Sequence, residues 1–221
     1  MTARVRSVNV AVPKPDPGSR GSRPTGIDKR PVASLEVFAP GPDYGDGSGV
    51  VGDLIGDAKH HGGANKAVYA YAREELDYWE QRLGRTFPDG YFGENLTTDG
   101  VVLEDLVVNQ PVRIGGAELE ISVQRTPCAT FAGHLGEKGW VRTFSERARS
   151  GTYLRVIRPG VIRAGDVLEF GPAPAHGITM ATAFAAAMGD DEAAAAVVAA
   201  GCIPAIYHDR YVKRLAARRG A

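Results

Sequence analysis

Short β-branched, partly alternating runs recur from the N-terminus to Phe170, and Gly, Pro or Asn bounds each of them. The runs are VRSVNVAV (Val5 to Val12), PVASLEVF (Pro31 to Phe38), AVYAY (Ala67 to Tyr71), PVRIG, AELEISVQR, TYLRVI and DVLEF. Punctuation at this density, with 28 Gly and 14 Pro in 221 residues, disfavours a helical bundle and predicts a β-rich body. One segment breaks the rhythm. In REELDYWEQRLG, Leu76, Trp79 and Leu83 recur at helical spacing, so an amphipathic helix is expected there, ended by Gly84. The stretches from Pro13 to Gly26 and from Phe38 to Gly49 read as loops. Many short strands with one or two inserted helices predict a mainly β, α+β fold built as an irregular β-barrel.

After Pro172 and Pro174 the composition changes. Thr179 to Met188 is helix-like and stops at Gly189. Asp190 is placed to cap a second helix, DEAAAAVVAA, with an acidic first turn and Gly201 at its end. Pro204 suits the first turn of a third helix through Tyr207, Tyr211 and Leu215. The expected division is a β-barrel domain over residues 1–172 and a small three-helix unit over 173–221.

Charge and cysteine content narrow the function classes. The 26 Lys+Arg balance 26 Asp+Glu, which argues against a nucleic-acid or membrane-surface binder. Two cysteines make no disulfide framework, and a reducing cytosol is the simpler setting. The N-terminus lacks the apolar core of a signal peptide. The most apolar region, Ile178 to Ala200, is cut by Gly189, Asp190, Asp191 and Glu192, too short on either side to span a bilayer. A soluble cytoplasmic protein is expected. Phosphate loops, dinucleotide fingerprints, zinc-protease and serine-hydrolase signatures and paired C-x-x-C motifs are absent from the sequence.

The chemistry then rests on a few clusters. Cys128 follows the strand AELEISVQR and the turn Thr126-Pro127, ahead of the helix-competent ATFAGHL. A thiol at such a junction, with Arg125 three residues earlier, is set to favour thiolate, the form that attacks electrophiles or binds soft metals. The alternative is a buried cysteine acting as a small hydrophobe. Cys202, in the alanine-rich tail, reads as packing. In DAKHHGGANKAVYAY, the glycines of His61-Gly62-Gly63 could bring backbone N–H groups to an anion beside Lys66; a plain tight turn is the alternative. GYFGENLTTDG places Glu94 and Asn95 in a loop, where Asn95 could simply tolerate a left-handed turn. Arg155, inside a strand, needs a partner or an outward face.

Taken together, GDLIGDAKHHGGANKAVYAYAREELDYW, GYFGENLTTDG, QRTPC, GTYLRVIRPG and GDVLEF occur in the order seen in MOSC domains, the molybdenum cofactor sulfurase C-terminal type. The chain resembles their YiiM-like branch, which also carries a C-terminal helical unit, and TGIDKRPV is similar to its opening strand. The resemblance implies an irregular β-barrel holding a molybdopterin, with Cys128 as protein ligand to molybdenum. It places Arg125, His61, Lys66 and Asn95 around the cofactor, with Arg125, Lys66 and His61 neutralising the pterin phosphate. Asp57 or Glu94 could bind pterin nitrogens or relay protons. Relatives reduce N-hydroxylated compounds such as hydroxylaminopurine-type bases. No flavin, haem or iron–sulfur motif is visible, so a separate electron-donor protein is implied. No pyridoxal phosphate site is indicated.

Two alternatives share the same thiol: a sulfur carrier or transferase with a persulfide on Cys128, and a binding or trafficking module without turnover. The chain departs from the branch at Val123-Gln124, where Gln-Pro is common, and at Asn109-Gln110, where Gly-Asp is common. These departures bear on the pocket edge and the choice of substrate.

Overall fold

The computed structural model describes residues 2–219. β1 (Arg4–Ala11) opens the chain, and β2 (Lys14–Pro15) and β3 (Pro24–Thr25) form a small hairpin beside it. β4 (Lys29–Pro31), β5 (Leu35–Val37), β6 (Val68–Ala72), α1 (Arg73–Leu83) and β7 (Leu96–Asp99) follow. Next come β8 (Pro111–Ile114), β9 (Ala117–Gln124), α2 (Ala129–Leu135), α3 (Trp140–Arg147), β10 (Thr152–Arg158), β11 (Gly160–Ile162) and β12 (Leu168–Phe170). Three helices finish the chain: α4 (Met180–Met188), α5 (Asp191–Ala200) and α6 (Ala205–Arg219).

Eight strands form one sheet in the order β12-β8-β9-β10-β6-β7-β1-β4. Its ladders are antiparallel except for the parallel pair β6 and β7. The sheet curls until its β12 edge meets the start of β1, the strand next to the opposite edge. Arg4 bridges Val167, the Val5 N–H donates to Asp166 O (2.8 Å), and the Leu168 N–H donates to Ala3 O (3.0 Å). The mainly β, α+β expectation therefore holds, but the expected barrel is not closed: β1 meets the start of β12 through an isolated bridge and backbone hydrogen bonds, without a ladder.

Burial along β9 shows how the layers meet. Its first half alternates buried and exposed, whereas Ile121 to Gln124 are all buried, because α4 packs on this strand. One aliphatic core runs from the sheet (Val5, Leu96, Ile114, Ile121) into the C-terminal helices (Met180, Ala194, Val197, Tyr211). A second, aromatic core joins β6 to α1, α2 and α3 through Tyr71, Trp79, Phe92, Phe131, Trp140 and Phe144. The Trp79 indole N–H donates to the Tyr71 hydroxyl (3.0 Å), so the polar edge of that ring is satisfied inside the cluster. This core fixes α2, and with it the position of Cys128.

Three local expectations change. PVASLEVF is not one strand: β4 pairs with β1, while β5 pairs with β11 in a separate sheet. At the end of GYFGENLTTDG, where no strand was expected, Leu96–Asp99 lies beside β1 and β6. α3 appears where no helix was expected, and Trp140 and Phe144, four apart on its buried face, were its signal. The helix endings at Gly84, Gly189 and Gly201 are as the sequence indicates.

Candidate functional site

The ladders bring distant segments to one level of the sheet. Ala70 lies beside Leu96 on one side and Thr152 on the other, and Thr152 lies beside Gln124. Asn95, Tyr69, Tyr153 and the turn after Gln124 therefore converge. Cys128, Arg125, Lys66, His61 and Asn95 all border one cavity of about 100 Å³. Cys128 is half-buried and is the N-cap residue of the seven-residue α2.

Arg125 is the most unusual charge in this cavity. It is 5% exposed and, among the described residues, pairs with no carboxylate. Its guanidinium stands 3.8 Å from the centre of the Phe131 ring and donates to the Tyr69 hydroxyl (3.2 Å), which itself donates to Ser150 O (2.7 Å). Cation–π and neutral hydrogen bonds hold the cation in place without cancelling its charge. A buried positive charge is thus left for whatever occupies the cavity beside Cys128.

Asn95, on the wall of this cavity, also has a structural job. It is not left-handed. Its side chain accepts from the Tyr69 N–H (3.2 Å) and donates to Asn9 O (3.2 Å) and Asp53 Oδ2 (3.0 Å), so it clamps β1, β6 and β7 together. Asp53 also takes the Ala11 N–H (2.9 Å), the Ser48 hydroxyl (3.0 Å) and the Lys29 ammonium (2.6 Å). Burial pushes the Asp53 carboxyl up, but Lys29 outweighs it and holds the group below its usual range. Lys29 and Asp53 line the cavity and were not anticipated. TGIDKRPV showed a lysine near the strand, but a partner 24 residues away is not readable from spacing.

The His61-Gly62-Gly63 turn is shaped by its neighbours rather than by a ligand. Both glycines have positive φ, 86° and 74°. A Cβ on Gly63 would lie 2.2 Å from Asp43 O, and the Gly63 N–H already donates to Gly47 O (2.9 Å). The Gly63 N–H is therefore not free to cradle an anion. His61 changes role as well. Burial, assisted by Lys66, pushes its pKa down to about 4, so it is neutral at neutral pH and brings no charge to a phosphate. Lys66 is pushed to about 8 by burial and then by Arg210. Its ammonium donates to His60 O (2.9 Å) and lies 4.8 Å from the centre of the Tyr44 ring.

Cys128, His61, Lys66 and Asp57 also border a second, outer cavity of about 350 Å³, whose far wall is α6 with Tyr207, Arg210 and Arg214. Asp57 is occupied by Arg23 (3.1 Å) and His60 (3.1 Å). Glu94 is fully buried and does not border either cavity. Its Oε1 accepts from the Gly90 N–H (2.6 Å) and the Thr97 hydroxyl (3.0 Å), while Oε2 has no partner among the described residues. Burial raises its pKa to about 7. Arg155 is satisfied on β10 by Glu120 and by Asn65 (2.7 Å), away from the site. Cys202 is buried and free, and burial pushes its thiol up.

The two departures also find their places. Asn109 has φ 65°, a conformation glycine adopts and asparagine tolerates, and its amide donates to Cys202 O (2.8 Å), tying the body to the tail. Asn109 and Gln110 border neither cavity, whereas Gln124 lines the outer one.

The family model of the MOSC domain matches residues 57–169, which carry the His61 turn, Asn95, Arg125 and Cys128. The chain belongs to the MOSC domain family. Within it, the chain is 34% identical over 145 residues to YflK of Bacillus subtilis, covering 66% of this chain and 62% of YflK. It is 31% identical over 124 residues to protein YiiM of Escherichia coli, covering 55% of each. The matches thus span less than two thirds of these relatives. The crystal structure of YiiM from Geobacillus stearothermophilus aligns with a TM-score of 0.76 at 27% identity, over 96% of this chain and 99% of that one. Among the described residues of this MOSC protein, no helix is long and apolar enough to cross a membrane. Nor, among the described residues, do three His, Cys, Asp or Glu side chains gather to hold a metal ion. A metal at Cys128 would have to arrive with its other ligands.

Proposed function

We propose that this MOSC protein holds a molybdenum cofactor in the inner cavity, with Cys128 as its protein ligand, and reduces N-hydroxylated compounds of the hydroxylaminopurine type. The observation that carries the reading is a thiol on the wall of a cavity whose buried Arg125 has no carboxylate partner. The residues fit the group. A molybdopterin supplies its own dithiolene ligands and a phosphate, which matches a site with one thiol and an uncancelled guanidinium. When bound, the metal supplies two-electron chemistry at a soft sulfur centre.

The chain's own residues do the rest. Arg125 offers its charge to the cofactor, fixed by Phe131 and Tyr69. Lys29 and Asp53 keep the inner wall rigid through paired charge, with Asn95 locking that wall to the sheet. Lys66 borders both cavities and carries a proton that it can release near neutral pH. The overall reaction breaks the N–O bond of R–NHOH, consumes two electrons and two protons, and yields R–NH2 and water. A separate electron-donor protein supplies the electrons. On this reading the body to residue 172 is the cofactor-holding domain, and the unit from residue 173 walls the outer cavity. The whole is a cytoplasmic enzyme.

The test is metal and pterin analysis of protein from a cofactor-competent host, followed by hydroxylaminopurine reduction with a chemical reductant. Stoichiometric molybdenum and pterin, lost in Cys128→Ser, supports the reading. Sulfane sulfur on Cys128 without molybdenum would mark a sulfur carrier instead, and bound pterin with no turnover would mark a binding module.

A further inference from the structure

The outer cavity holds charge that nothing in the fold cancels. Among its described lining residues the only carboxylate is Asp57, and Arg23 and His60 already occupy it. Arg214 is likewise engaged. It lies 3.3 Å from Asp191 and donates to Ala186 O (2.8 Å) and Asp190 O (3.0 Å). Arg210 and Lys66 remain, two cations without an ion pair among the described residues, close enough that Arg210 lowers the proton affinity of Lys66. On the same cavity wall the Tyr44 and Tyr207 hydroxyls bond to each other (2.5 Å). One hydroxyl hydrogen is spent in that bond, and the other is free to donate.

This arrangement is a donor-rich pocket with a charge deficit of about two, which matches a phosphate monoester at neutral pH better than a single carboxylate. Its position beside Cys128 bears on whose phosphate it would take. Arg210 belongs to α6 and lines the outer cavity alone, whereas Cys128 borders both cavities. A molecule in the outer cavity can therefore meet Cys128 and Arg210 together. We propose that Arg210, with the free hydroxyl of the Tyr44–Tyr207 pair, binds a phosphate on the substrate, so that the preferred substrate is the nucleotide form of the N-hydroxylated base. This rests on the reductase reading for its reacting group but not for its anion site.

The experiment compares hydroxylaminopurine, its nucleoside and its nucleoside 5′-monophosphate as substrates of the cofactor-loaded enzyme. The monophosphate is expected to show a KM roughly tenfold to a hundredfold below that of the nucleoside, as one charge-assisted contact provides, and the gap should shrink with added salt. Arg210→Ala should close the gap while leaving kcat, nucleoside turnover and molybdenum content unchanged, and Arg210→Lys should restore most of it. Equal KM values in the wild type would overturn the proposal. So would a drop in pterin content in Arg210→Ala, which would assign the cation to the cofactor. Binding of adenosine 5′-monophosphate against adenosine, measured by calorimetry on wild type and Arg210→Ala, decides the subsite even if no N-hydroxylated compound is reduced. That last outcome would sink the reductase reading alone.

Discussion

The inner and outer cavities share Cys128, His61, Lys66 and Asp57, yet they treat charge in opposite ways. In the inner one, Lys29 and Asp53 are buried and paired, and Asn95, Ser48 and a backbone N–H complete the carboxylate's partners. In the outer one, Arg210 and Lys66 face a larger space without carboxylates of their own. Paired buried charge is architecture, because removing either partner leaves an ion in low dielectric. Unpaired charge at a cavity wall costs little while water reaches it and becomes useful when an anion arrives. Arg125 is the exception that joins the two regions. It is as buried as the first class and as unpaired as the second.

The sharpest way to break this comparison is at the shared thiol. Cys128→Ser should abolish reduction of hydroxylaminopurine while melting with the wild type, and full activity in that variant would remove the ligand role. Next in size is the inner pair. Lys29→Met strands the Asp53 carboxylate and should cost about 3–5 kcal/mol, a melting shift of roughly 10 °C, part of which the added Asp53→Leu should recover. Arg210→Ala, by contrast, should stay within about 0.5 kcal/mol of wild type in denaturant titration. Similar losses for both variants would erase the distinction between the cavities.

A subtler probe is pH. Glu94 titrates at about 7 in the folded chain against 4.5 for the free group, because burial disfavours its charge. A raised acid contributes stability that is complete below 4.5 and is lost as pH rises through 7. Glu94→Gln should flatten that fall, so the wild-type and variant curves converge or cross only between those values; parallel curves would mean the carboxyl is ionised. Smallest of all, Cys202→Ser should leave activity unchanged, and an inactive variant would mean that the wrong thiol was assigned to the chemistry.

Much of the fold could be read from patterns of local origin. Leu76, Trp79 and Leu83 announced α1, and the tail helices appeared with their glycine ends. β7 hid because Thr97 and Thr98 are buried polar residues that mimic a loop in composition. The five candidate residues were visible as motifs, but their contacts were not. Asn95 is a clamp, His61 is neutral, and Gly63 makes room for the carbonyl of Asp43. Lys29, Asp53, Tyr69 and Arg210 were missed because a pairing or a shared wall has no sequence period.

By itself the sequence determined the strand-rich body and the helical tail, since each depends on neighbours a few residues apart. The curled sheet, the two cavities meeting at one thiol, and the division between paired and unpaired cations were decided only by tertiary structure. The reason is physical. Whether a charge is cancelled depends on what the fold brings within about 4 Å of it and how much water it excludes, and neither distance nor dielectric is written along the chain.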